Sequence, residues 1–342
     1  MIPGLLDAIT KPEIEIFNRS VNSMPVDPTF IPVHLTGGIG DVIISLDNIR
    51  WLHNNFKIVV YCHHIEAFKY FCPDIPCFKD RPEYTWTLEF NTIAKFHTTD
   101  HFGGFLIKEH ENLFLKQRDT LFKNPRLEAI VKKEFNRFFL ISNYAKEHNL
   151  SRTVFPMHTL GINEKINYNF HMGSLRQNII TIHDGYDVHN KYMVSGRATK
   201  QWKWEHWNKL VKDIKFKYPE HKIIQLGAVT GRPIDGVDDC LLNKTTIVEA
   251  LNILSQSSLH IDGDSGLVHA ATRFGIPSIV MWGPTPMHFY AYPQNINLTS
   301  NVCNDACYGV KENWMDKCPI NYTTPKCMDE ILPEHVLERI QL

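Results

Sequence analysis

The feature that most constrains this chain is a unit repeated through its second half: a short apolar run that stops at a glycine or small polar cluster, then an amphipathic stretch. Asn178 to His183 (NIITIH), Lys222 to Leu226 (KIIQL), Ser258 to Asp262 (SLHID) and Pro277 to Trp282 (PSIVMW) read as strands buried on both faces. Between them, Trp207, Leu210, Val211 and Ile214 recur at helical spacing, as do Ile247, Ala250, Leu251 and Leu254. A third helix carries Leu267, Ala270, Ala271 and Phe274 and stops at Gly275. The first half opens on the same plan, with a strand at Pro32 to Thr36, a turn at Gly37-Gly38-Ile39-Gly40, a helix marked by Val42, Leu46 and Ile49, and a strand at Lys57 to Tyr61. Strand-helix alternation of this kind predicts parallel sheets covered by helices, hence an α/β fold. The 342 residues suit two such domains in series with a cleft between them, ligands binding outside the carboxyl ends of the strands.

The expected boundaries are an N-terminal arm over 1–30, a first domain over 31–165, a second over 166–328, and a C-terminal helix over 329–342. Residues 73–125, rich in Pro, Phe and His, receive no assignment, whereas 126–148 read as helical, with Leu127, Ile130 and Val131 on one face, and 158–174 as an interdomain linker. Lys and Arg total 36 against 37 Asp and Glu, which argues against a general nucleic-acid binder. The first ten residues lack the basic and apolar regions of a signal peptide, and no run of about 18 apolar residues exists to cross a bilayer. The expectation is a cytoplasmic protein without a transmembrane segment, with peripheral membrane contact and oligomerisation left open.

Four segments carry chemistry. In Gly37-Gly38-Ile39-Gly40-Asp41, Gly38 and Gly40 let the backbone approach an anion at a helix start, while Asp41 is either a helix cap or a base facing the cleft. In Thr199-Lys200-Gln201-Trp202 the lysine precedes a helix on a loop that includes Ser195-Gly196-Arg197; it suits a diphosphate, with Arg197 assisting, or is a solvated surface lysine. Gly227 ends a strand in the same half, and it and Thr199 are counted with Lys200 among the expected donor-binding residues. In Asp262-Gly263-Asp264-Ser265-Gly266-Leu267-Val268-His269, backbone amides and Ser265 can meet a phosphate and Asp264 can accept from sugar hydroxyls. The alternative there is Asp264 or Ser265 as N-cap and His269 as a core histidine. Finally Cys303, Cys307, Cys318 and Cys327 follow C-x3-C-x10-C-x8-C, consistent with a structural zinc or iron site, free thiols or a disulfide pair. Cys62, Cys72, Cys77 and Cys240 are dispersed and read as buried thiols.

Together these segments resemble the ADP-heptose:lipopolysaccharide heptosyltransferase family, glycosyltransferase family 9. The likeness covers Ile31 to Phe56 and Asn178 to about Ile331, and is strongest over Asp262 to Pro286, DGDSGLVHAATRFGIPSIVMWGPTP. It implies a GT-B fold of two Rossmann-like domains, donor bound mainly by the second, and an inverting transfer with no catalytic metal. Asp41 in GGIGDVI matches the family's proposed general base, and Lys200 in TKQW the lysine on the donor phosphate. Asp264, Gly266 and His269 fall on its donor-contacting motif. The implied partners are a nucleotide-sugar donor and a glycan, lipid-linked saccharide or protein acceptor. The cysteine segment partly resembles the metal-binding insert of bacterial autotransporter heptosyltransferases, at a different spacing. Rival readings are a sugar-nucleotide epimerase, a non-catalytic sugar-nucleotide-binding module, and a metal-linked assembly protein.

Overall fold

The computed structural model of the chain describes residues 27–133, 137–164, 175–184, 198–228, 231–303, 307–311 and 314–342. These fall into two compact units, one within Met1–Val131 and Arg152–Tyr168, the other within Lys132–Ser151 and Asn169–Leu342.

The first unit opens as its sequence pattern dictates. Strand β1 (Ile31–Leu35) leads through the glycine turn into helix α1 (Ile39–Asn55), followed by β2 (Ile58–Cys62), α2 (Ile65–Phe71), β3 (Cys77–Phe78), β4 (Trp86–Phe90) and β5 (Ala94–Thr98). The sheet order is β3-β2-β1-β4-β5. β1 to β4 run parallel, but β5 is antiparallel to β4. Three residues, Asn91 to Ile93, join that last pair, and so short a connection permits only an antiparallel partner. Helices α3 (Lys108–Lys123), α4 (Pro125–Lys132) and, later, α6 (Phe155–Thr159) complete the described elements.

The helical reading of 126–148 holds for α4 and for α5 (Arg137–Glu147), the latter in the second unit; residues 134–136 lie outside the described residues. One expectation changes. The expected linker begins inside packed structure. Leu160 and Ile162 are buried, and the Thr159 hydroxyl donates to the Ala94 carbonyl at 3.0 Å. Residues 165–174 of that segment, and residues 1–26 of the expected arm, lie outside the described residues.

The second unit adds β6 (Ile179–Ile182), α7 (Trp204–Lys217), β7 (Lys222–Gln225), β8 (Asp239–Cys240), α8 (Ile247–Ser255), β9 (Leu259–Gly263), α9 (Gly266–Arg273), β10 (Ser278–Trp282), α10 (Met287–Tyr290), β11 (Ile296–Thr299), α11 (Lys326–Asp329) and α12 (Pro333–Leu337). Its strands are ordered β11-β10-β9-β6-β7-β8 and all pairs are parallel. In chain order within the unit this is the 3-2-1-4-5-6 arrangement of dinucleotide-binding folds, and its direction reverses between β6 and β9. Ile180, Ile182, Ile261, Ile279, Trp202 and Trp207 fill the core beneath α7. Fully burying such side chains stabilises by roughly 1.5–3 kcal/mol each for the aliphatic ones. That rigidity fixes where the strands end. The ends of β6 and β9, side by side at the reversal, are where such a sheet binds ligands.

Candidate functional site

In the first unit the turn between β1 and α1 carries Asp41. Gly38 is the N-cap of α1 and Gly40 lies in its first turn. Gly37 has φ +105°, and a Cβ there would lie 2.4 Å from an Asp41 carboxylate oxygen. Only glycine admits both the dihedral and the approach. Asp41 accepts the Gly38 N–H on Oδ2 at 3.1 Å, so it caps the helix from within, where the helix dipole favours a carboxylate. Its other oxygen, Oδ1, takes Nη2 of Arg152 at 2.9 Å, and the same nitrogen donates to Asn91 Oδ1 at 2.9 Å. Arg152 is 1% exposed and Asp41 31%. The carboxylate is thus oriented by a cation behind it and turned outward.

The second unit builds the reverse. Asp264 follows β9 and is 8% exposed, while Lys200 pairs with it at 2.5 Å and is 25% exposed. Burial disfavours the Asp264 carboxylate, yet the Lys200 ammonium holds its carboxyl below the usual range. Ser265 is the N-cap of α9 and accepts the Leu267 N–H at 3.2 Å; Gly266 begins the helix. His269 is buried one turn in, with Nδ1 3.1 Å from the Tyr292 hydroxyl. Gly227 follows β7 at φ +154°, where a Cβ would strike Leu242 at 2.7 Å. Thr199 is buried: its N–H donates to Met315 O at 2.8 Å and its hydroxyl to Trp314 O at 2.9 Å. Its work is to anchor the loop that presents Lys200, whose ammonium also lies 5.7 Å from the Trp314 ring centroid.

Sequence reasoning missed Arg152, Asn91 and Trp314. Arg152 and Asn91 sit 111 and 50 positions from Asp41 with no local pattern to announce them. A tryptophan between two cysteines, in a segment otherwise rich in Asn and Lys, was a usable hint for Trp314. Ser195, Gly196 and Arg197 lie outside the described residues.

All eight cysteines are free; Cys62, Cys72 and Cys77 are buried, and Cys240 is half-buried rather than buried as expected. The thiols of the Cys303–Cys327 segment are neighbours in space. Burial pushes Cys307 up to about 11 and Cys327 up to about 12, and the adjoining thiols of the set add to both shifts. Cys303 is raised for the same reasons. Among the described residues, however, no three His, Cys, Asp or Glu side chains converge into a group that could hold a metal ion. The expected metal ligands Cys303, Cys307, Cys318 and Cys327 therefore do not fit one as they stand. Among the same residues no helix is long and apolar enough to cross a membrane.

Two Rossmann-like α/β units in one chain are the GT-B class of fold. The particular likeness within it is to heptosyltransferases. The chain is 32% identical over 101 residues to lipooligosaccharide heptosyltransferase 2 of Campylobacter jejuni, a match spanning 30% of each chain. Its fold is similar to that of the iron-containing dodecameric glycosyltransferase TibC of enterotoxigenic E. coli (TM-score 0.57, 14% identity, 92% of this chain and 76% of that one). The structure of TibC in complex with ADP-D-beta-D-heptose is similar to the same extent (TM-score 0.55, 14% identity, the same coverage). No family model matches the chain.

Proposed function

We propose that the chain is an inverting glycosyltransferase that moves a heptose from an ADP-linked donor to a hydroxyl of a glycan, lipopolysaccharide or protein acceptor. One observation carries the reading: the two ion pairs have opposite members exposed, a carboxylate in the first unit and an ammonium in the second. Displacement at an anomeric carbon needs both. Asp41 takes the proton of the acceptor hydroxyl, whose oxygen forms a bond to the anomeric carbon. The bond from that carbon to the phosphate oxygen breaks, and its electron pair leaves with the diphosphate. Lys200 and the amides at the start of α9 meet charge that grows as the bond breaks, so they stabilise the transition state more than the ground state. Heptose and ADP come from the Campylobacter relative and from the ligand bound to TibC. The cysteine segment serves as a buttress, holding the Trp314–Met315 carbonyls against Thr199.

A thermal-shift panel of nucleoside diphosphates and nucleotide sugars tests this. A ligand at 100 times its Kd stabilises the native state by about 2.7 kcal/mol. ADP and ADP-heptose are expected to raise the melting temperature, and turnover to require an acceptor. Turnover of the sugar nucleotide without any acceptor would favour an epimerase instead.

A further inference from the structure

The second unit holds a third charged cluster at the same sheet reversal. Asp262 of β9 is fully buried. Both of its oxygens accept from His183 Nδ1, at 3.0 and 3.1 Å, and Oδ2 also takes His260 Nε2 at 3.2 Å and the Ser265 hydroxyl. Burying an ion costs several kcal/mol unless partners offset it, so a carboxylate with this many donors is a deliberate anion. Burial opposes its ionisation, but the two imidazoles bring the carboxyl down to about 2.

The partners differ in what they face. His260 is fully buried, with Nδ1 3.0 Å from the Thr181 hydroxyl, so it completes an internal chain of hydrogen bonds. His183 is 12% exposed and immediately follows β6. Its Cδ2–Nε2 edge lies towards Gly227, where a Cβ would come within 3.3 Å of Cδ2 and 3.7 Å of Nε2. His183, Gly227 and Ser265 thus mark the carboxyl ends of β6, β7 and β9, three neighbours in the sheet. The pattern matches Lys200 on Asp264: a buried carboxylate with a basic group at the rim. A carboxylate that only accepts requires Nδ1–H, which leaves Nε2 as the ring nitrogen on the Gly227 side.

We propose that His183 is a further donor-contacting residue, an imidazolium that meets the diphosphate, and that Asp262 is its positioning residue, aligning His183 and Ser265 on one ligand. This rests on the donor-site reading above. The titratable groups the described residues place around His183 are Asp262, which also holds His260, and Asp184 next along the chain. Asp184 is buried and accepts the Arg232 backbone N–H at 3.1 Å.

The test is titration of the whole chain with ADP between pH 5.5 and 8.5, for wild type, His183→Gln, His183→Lys and Asp262→Asn. Wild-type affinity is expected to fall as pH rises through the imidazole range. His183→Gln should bind about tenfold more weakly below that range and lose the fall, the size of one charge-assisted hydrogen bond. His183→Lys should restore affinity and hold it to high pH. Asp262→Asn should move the fall to lower pH, because the imidazolium loses its counter-ion; if that variant does not fold, the two His183 variants decide alone. Wild-type affinity and pH profile in His183→Gln, with Lys200→Ala weakened, would overturn this inference and leave the donor site standing. Failure of wild type itself to bind ADP would remove both.

Discussion

The two strand-to-helix turns use the same parts in opposite senses. In the first unit the cation is buried and the carboxylate is turned out; in the second the carboxylate is buried and the ammonium is turned out. An ion pair at a sheet end is therefore not described by its members alone. On the proposed reading the buried partner orients, and the exposed partner meets the ligand: the carboxylate as proton acceptor in one unit, the ammonium as phosphate-binding cation in the other.

The largest way to break the comparison is at Asp41. Asp41→Asn keeps the shape and the Gly38 cap but removes the base, so turnover is expected to drop about 10²–10⁴-fold in a donor-saturated assay. Unchanged turnover would reduce Asp41 to its cap. Next in size is Lys200→Ala. It removes the exposed cation and should weaken ADP binding roughly 10–100-fold by calorimetry, the range for a hydrogen bond to a charged group. It also strands a buried carboxylate, which costs roughly 3–5 kcal/mol of stability in denaturant unfolding. The pair Lys200→Met with Asp264→Asn separates these effects: stability returns while ADP affinity does not. Arg152→Met should then cost about tenfold in turnover, since it leaves Asp41 present but unaligned. Full activity in that variant would mean the guanidinium only fills space.

The smallest effect is a pH dependence of folding. Asp262 has its folded value depressed to about 2, so its contribution is fully present above the ordinary carboxylate value of about 3.9 and is lost as pH falls towards 2. Urea midpoints measured between pH 5 and pH 2 should fall less steeply in Asp262→Asn than in wild type. Equal slopes would show that the carboxylate is not held ionised by folding.

Much of this was legible along the chain because it is local. Ile179–Ile182, Leu259–Gly263 and Ser278–Trp282 are buried on both faces, so they appear as continuous apolar runs whose ends mark the sheet edge. Asp41 and the Asp264 to His269 stretch stood out for the small residues beside them. The partners did not. Arg152 reaches Asp41, and Lys200 reaches Asp264 across 64 positions, only once the sheets have formed. Asp262 looked like the last residue of a strand, and its role depends on His183 arriving from the adjacent strand. Residues 73–125 stayed unread because β4 and β5 form a hairpin at the sheet edge, whose pattern interrupts strand-helix alternation. The partners of Thr199 were out of sight for a related reason: its hydroxyl donates to a carbonyl 115 residues away.

The most direct test of the asymmetry is a crossed measurement, ADP affinity and acceptor-dependent turnover on the same preparations of Asp41→Asn and Lys200→Ala. The expected result is that Asp41→Asn binds ADP as wild type does and turns over poorly, whereas Lys200→Ala binds ADP weakly. If Lys200→Ala binds ADP with wild-type affinity, the exposed ammonium is not the donor-phosphate contact and the account fails at its centre.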